Sequence, residues 1–351
     1  MFHKAYISVI LLCLIFNATA QDSTKRLRIE PLPSIFHTPE TSWGFGATLL
    51  GYVSPADSFT SKSNFQIFLD ATLMRQASFQ TDFSFFTKNN KHYIQGSSDL
   101  SKFPEFYYGI GNENEESERC LINLRYFNTQ GTFYTALKND WHLGPLIHLQ
   151  GLAVNNKVIT HDGFEVDDMG YFVSGAGFSL LSDKRNNLLN PSQGHYISTS
   201  LAKYFDHTRA SSGYLSHSLD ARYFTRFDKT IFNSNLYTVH NSGIVPFRMM
   251  PAIGGARFLR GYYAGRFRDN NMTLAQIEFR RPLFWRIGVA AFTGVAQVYS
   301  EISEFHPSRF HYNYGGGLRF KLNKHSEANI RLDYGRTADS DGFYIVFGEC
   351  F

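Results

Sequence analysis

From residue 42 to the end of the chain, apolar and polar side chains alternate in segments of about 10–13 residues separated by turn-forming residues, the period and length expected of barrel strands tilted through a bilayer. The alternation is cleanest at 273–279, where Thr273, Ala275, Ile277 and Phe279 share one face and Gln276, Glu278 and Arg280 share the other. Ile330, Leu332 and Tyr334 likewise oppose Arg331 and Asp333, and Tyr312, Tyr314, Leu318, Phe320 and Leu322 oppose Asn313, Arg319 and Lys321. An apolar outer face with an ionic inner face predicts an antiparallel β-barrel with a polar lumen. A soluble β-sandwich or secreted barrel also alternates, but its apolar face would then be the core. The segments predicted as strands are 42–53, 64–74, 78–88, 91–102, 118–128, 132–143, 146–157, 169–183, 194–205, 213–227, 230–244, 272–282, 287–301, 310–323, 328–336 and 342–351. This reading takes Asn89-Asn90 and Gln130-Gly131 as tight turns and 103–117 as a connector. Sixteen strands form an all-β transmembrane fold, and the even number puts both termini on the periplasmic side.

Composition narrows the picture. Charged residues make up 18% of the 351 and aromatics 16%, against roughly 25% charge in an average soluble chain. Mean hydropathy is −0.25, and beyond the N-terminus no apolar run is long enough for a spanning helix. The first twenty residues read as a secretory signal: His3 and Lys4, the apolar run 7–16, then Ala18-Thr19-Ala20 before Gln21. The organisation predicted is a signal peptide at 1–20, a short proline-punctuated periplasmic extension at 21–41 and the barrel at 42–351. That extension is about twenty residues, too short to fold alone. A net charge of +4 does not point to nucleic acid, and Arg257, Arg260, Arg266 and Arg268 suit a loop or lumen better than a phosphate footprint.

Little in the chain points to catalysis or metal binding. Ser216 and His217 are neighbours in sequence and so lie on opposite strand faces; an outer-membrane hydrolase would need Ser and His on one face of adjacent strands. Asp162, Glu165, Asp167 and Asp168 could bind Ca²⁺ but suit a solvated acidic loop better. Cys120 and Cys350 could form a disulfide in an exported protein, on segments expected in different parts of the barrel. No cofactor, metal centre or enzymatic activity is expected.

The stretch 253–270, IGGARFLRGYYAGRFRDN, breaks the alternation with glycines and arginines. Its Gly254-Gly255 and Leu259-Arg260-Gly261-Tyr262 resemble the signature loop of the BamA/TamA surface-antigen superfamily of outer-membrane barrels. Similar to that family, and in the same order, are Phe36–Gly46 around Trp43-Gly44-Phe45-Gly46, the turn 182–194, Glu278-Phe279-Arg280-Arg281-Pro282, and Arg331-Leu332-Asp333-Tyr334-Gly335 with 343–351. The resemblance implies a sixteen-stranded barrel whose sixth outer loop folds inward and pins its Arg-Gly-Tyr tip to the inner wall. It also implies a weak seam between first and last strands, here Trp43, Gly44, Phe45 and Gly46 against Phe347 and Phe351.

A guanidinium inside a barrel needs acceptors. Glu278, on the inner face by parity, is the expected partner of Arg260, and Gly261 lets the tip approach the wall. The family's second carboxylate is missing from Phe292-Thr293-Gly294-Val295-Ala296, where Gly294 takes its place, which predicts a clamp that is looser or differently paired. The family's N-terminal POTRA modules are also not expected ahead of residue 42. The terminal Phe351 is consistent with insertion by the barrel-assembly machinery, although Glu349 interrupts the apolar face of Phe343, Ile345 and Phe347.

The function these features suggest is protein insertion or translocation, or membrane remodelling, at the outer membrane of a Gram-negative cell. Expected partners are outer-membrane lipid and client proteins or a separately encoded periplasmic protein. The alternatives are a passive pore and a structural or partner-docking barrel.

Overall fold

A computed structural model describes residues 27–38, 42–57, 60–154, 170–209, 213–321 and 329–350. The signal at 1–20, the acidic residues at 162–168 and Phe351 lie outside these residues. Among the described residues, sixteen strands form one antiparallel sheet in sequence order, the wall of a transmembrane barrel, and a short two-stranded ladder sits apart from it. The first wall strands are β1 (Leu27–Thr38), β2 (Ser42–Val53), β3 (Ser63–Thr72), β4 (Ala77–Phe86), β5 (His92–Tyr107), β6 (Cys120–Ala136), β7 (Trp141–Val154) and β8 (Tyr171–Asp183). They continue with β9 (Gly194–Asp206), β10 (Gly213–Phe227) and β11 (Thr230–Gly243). The ladder of β12 (Ala252–Ile253) and β13 (Phe267–Arg268) follows, inside the arginine loop. The wall then resumes with β14 (Asn271–Phe284), β15 (Ile287–Tyr299), β16 (His311–Lys321), β17 (Asn329–Arg336) and β18 (Asp341–Phe347).

The alternation marks the two faces of the wall. On β14, Ile277 and Phe279 are 37% and 46% exposed while Glu278 between them is 1% exposed. Large apolar side chains such as Leu69, Phe133, Phe178, Leu201 and Leu236 stay exposed around the outside, as a lipid-facing band requires. Inside, Tyr107, Ile122, Leu152, Tyr171, Tyr204 and Tyr214 form an aromatic core with Val245 and Phe247 of the arginine loop.

The strand total of sixteen matches the expectation, but two of its members differ. The wall begins at Leu27, so most of the predicted 21–41 extension is β1, laddered to β2 from Leu27↔Val53 to Thr38↔Ser42. Pro31 and Pro33 read as breakers, but they lie two residues apart and so lose their N–H on the same edge. The other edge stays whole for β2, the arrangement an edge strand tolerates. In compensation, Gln130-Gly131 is no turn: β6 runs straight through it. Gly131 pairs with Gly96, and a Cβ on Gly96 would lie 2.5 Å from the Phe83 ring. Gly96 therefore makes room for an aromatic ring, and the true turn is Asn139-Asp140, both left-handed at φ 60° and 62°.

This shift also moves the connector at 103–117. Its first part is β5, and the rest forms a loop that packs on the arginine loop: the Gly111 N–H donates to Arg268 O at 2.7 Å, and Arg266 Nη2 donates to Asn114 O at 2.6 Å. It therefore lies at the exterior end rather than the periplasmic one. Among the described residues no ladder joins β1 to β18, the two ends of the sheet order.

Candidate functional site

The arginine loop, 244–270, leaves β11 and turns into the lumen. Arg248 pairs with Glu105 and stacks 4.3 Å from the centroid of Tyr126, anchoring the descending limb. The ladder of β12 and β13 closes the base of the tip, and the Gly254 N–H reaches Phe258 O at 2.8 Å. At the turn Leu259 and Gly261 adopt φ 60° and 120°; Gly261 supplies a conformation that a β-carbon would strain.

Arg260 is 1% exposed. Its Nη2 lies 2.8 Å from Glu278 Oε2 and its Nη1 donates to Asp333 Oδ2 at 2.5 Å. Its guanidinium carbon sits 3.4 Å from the ring centroid of Phe292, a cation–π contact strengthened by desolvation. The cluster extends through Arg319, which meets Asp333 at 2.5 Å, Glu349 at 2.8 Å and Glu278 at 3.3 Å. Arg331 adds a 3.1 Å contact to Asp333, and Arg280 a 3.2 Å contact to Glu349. Buried ions of this kind persist only when paired and hydrogen-bonded.

Hydrogen bonds to the backbone of the tip add to the charge cluster. Asn313 Nδ2 donates to Arg260 O at 2.6 Å, and the Gly261 N–H donates to the Tyr344 hydroxyl at 2.9 Å. That hydroxyl donates in turn to Tyr262 O at 3.2 Å, and Ser340 Oγ donates to Gly261 O at 3.0 Å. A Cβ on Gly335 would lie 2.5 Å from Arg260 O, so glycine there is what lets the tip reach the wall. Burial raises the Tyr262 hydroxyl to about 12, so it remains a neutral phenol at physiological pH.

Arg260, Gly261, Tyr262 and Glu278 thus converge on one site. The second carboxylate, which the family pattern places on the strand equivalent to β15, comes here from Asp333 on β17. Gly294 has another use: a Cβ there would lie 2.8 Å from Gln276 Cγ and 3.2 Å from Leu259 Cδ1, so its absence leaves space for the loop tip. Asp333, Arg319 and Arg331 carried the inner-face parity that marks lumen residues. Glu349 was visible only as an irregularity. After Phe347 the chain turns at Gly348 (φ 79°), which brings Glu349 into the lumen. Asn190-Pro191 of the 184–193 turn closes beneath the cluster, where Arg280 donates to Asn190 Oδ1 at 2.9 Å and to Pro191 O.

Trp43, Gly44, Phe45 and Gly46 stand apart from this site on β2, one strand in from the edge, so the strand facing β18 across any seam is β1. Phe347 ends β18, opposite Ile330. No disulfide joins Cys120 and Cys350; Cys350 Sγ donates to Arg257 O at 3.3 Å. The fold does place two Ser–His pairs between neighbouring segments, Ser174 with His207 at 2.7 Å and Ser182 with His195 at 3.0 Å. Neither imidazole meets a carboxylate among the described residues.

A profile of the Omp85 superfamily domain matches residues 75–351. The chain belongs to the Omp85 superfamily. Solved structures of the same fold include BamA from Haemophilus ducreyi lacking POTRA domains 1–3, at 10% identity and a TM-score of 0.56, covering 92% of this chain and 70% of that one. CdiB from Escherichia coli aligns at 11% identity and a TM-score of 0.58, over 92% of this chain and 62% of that one. CdiB from Acinetobacter baumannii gives 11% and 0.52, over 92% and 60%. This chain therefore spans 60–70% of the length of these relatives. A search of curated proteins returned no match. As an Omp85 barrel, the chain is an outer-membrane protein that crosses the bilayer by strands.

Proposed function

We propose that this Omp85 barrel inserts or translocates client proteins, or remodels the outer membrane, through a lateral seam between β1 and β18 coupled to the Arg260 loop. The observation that carries this reading is the attachment of the loop tip to the last two strands. Gly261 and Tyr262 bond to Tyr344 of β18, and Arg260 bonds to Asp333 of β17. Any movement of β18 is therefore felt by the tip, and the reverse.

The edges support the same reading. Pro31 and Pro33 leave the outer edge of β1 short of two donors, and β18 has only 7 residues to offer it. A ladder across this boundary is weak on both sides. Clients would arrive directly or through a separately encoded periplasmic protein, and no chemical step is involved. The competing reading, a passive pore, has to accommodate the tip, the charge cluster and the turn at 184–193 in contact inside the wall. A purely structural or partner-docking barrel has no need of a tip tied to β18.

The test is a set of cysteine pairs between 29–33 and 343–347, built on a Cys120→Ser, Cys350→Ser background. Oxidised protein should lose client insertion into liposomes and regain it on reduction. Equal activity in both states would rule out the seam. A large conductance in planar bilayers on deleting 253–270, with that activity intact, would favour the pore.

A further inference from the structure

The outer wall carries a feature unrelated to the loop. Cross-strand register places Ala77 opposite Lys102, Lys102 opposite Arg125, and Arg125 opposite Ala153. Directly beneath, on the periplasmic side, runs an apolar row: Phe79, Leu100, Phe127, Gly151 and Phe172, again direct partners. Both rows have lipid-facing parity, and Leu100 and Phe172 are 50% and 41% exposed. A Cβ on Gly151 would lie 2.1 Å from the Phe127 ring, so that ring lies flat over the wall and leaves a furrow. The hollow across both rows measures about 680 Å³, lined by Ala77, Leu100, Lys102, Arg125, Phe127 and Phe172 among others.

Two like charges opposite each other on a ladder repel. Neither Lys102 nor Arg125 meets a carboxylate or a hydrogen-bond acceptor among the described residues, and the flanking positions are alanines. The pair lies in the exterior halves of β5 and β6, with the apolar row on its periplasmic side. A cationic pair at the exterior rim of an apolar band is placed to meet headgroups of the outer leaflet.

We propose that this patch binds a phosphorylated glycolipid of the outer leaflet, with Lys102 and Arg125 on one phosphate monoester and an acyl chain along the hollow. Charge selects the ligand. A phosphate monoester carries close to two negative charges at neutral pH, which matches two adjacent cations, whereas the phosphodiester of a phospholipid carries one. The alanines at 77 and 153 leave open space on both sides for the sugar.

The full chain, purified in detergent and stripped of lipid, would be titrated with a bis-phosphorylated, multiply acylated glucosamine disaccharide and followed by native mass spectrometry. The Lys102→Gln/Arg125→Gln variant should bind at least about tenfold more weakly. Lys102→Arg should bind as the wild type does. Lys203→Gln, which removes a lone lipid-facing cation on β9, should cost much less. The dephosphorylated lipid should bind wild type as poorly as the intact lipid binds the double variant, and neither inorganic phosphate nor phosphatidylglycerol should displace the intact lipid. Unchanged binding to the double variant, an equal loss in Lys203→Gln, or displacement by phosphatidylglycerol at equal concentration would each overturn the assignment.

Discussion

Asp333→Asn isolates the electrostatics of the loop site because it keeps the shape of the side chain and removes one charge. In the wild type, four guanidiniums (Arg260, Arg280, Arg319 and Arg331) face three carboxylates (Glu278, Asp333 and Glu349), a surplus of one positive charge. The substitution raises the surplus to two and turns one of the two oxygens that three arginines share into an NH2 donor. Removing one partner of a buried pair costs about 3–5 kcal/mol, and Asp333 is fully buried. The barrel should lose stability of that order in denaturant unfolding followed by tryptophan fluorescence, which the three tryptophans make possible. The double variant Arg260→Met/Asp333→Asn returns the surplus to one. It should therefore be more stable than the sum of the single effects by about 1–3 kcal/mol, the range of coupling between contacting charges. A loss below about 1 kcal/mol for Asp333→Asn, or strict additivity in the double variant, would refute the reasoning.

Three further outcomes follow from the close contacts. Gly335→Ala puts a methyl group against Arg260 O and should unseat the tip while leaving the wall intact, read out as new trypsin cleavage after Arg257 or Arg260 in the folded barrel. Gly294→Asp supplies the carboxylate that the family pattern would place there, yet it should loosen the tip and increase the same cleavage, because its Cβ crowds Gln276 and Leu259. Arg280→Gln weakens the hold on Asn190-Pro191 and should speed hydrogen exchange across the 184–193 turn without exposing the loop tip.

Period-2 alternation was enough to read the architecture, because in a membrane barrel each wall residue faces either lipid or lumen and a change of side is costly. It also put Glu278, Arg319, Arg331 and Asp333 on the inside before any contact was known. Turn chemistry was less reliable. Gly131 looks like a turn, yet it sits mid-strand in β6 opposite Gly96, and Pro31 and Pro33 look like breakers only until β1 is known to be an edge.

The sequence by itself therefore determined the fold class, the inward-facing charges and the loop that carries Arg260. Only the tertiary structure decided which carboxylates that arginine meets. Asp333 lies 73 residues away along the chain, and Glu349 reaches the cluster through a backbone turn at Gly348. Parity says which side of a wall a residue faces; its partner across the lumen depends on strand register and on how far the loop descends, and neither is written in local pattern.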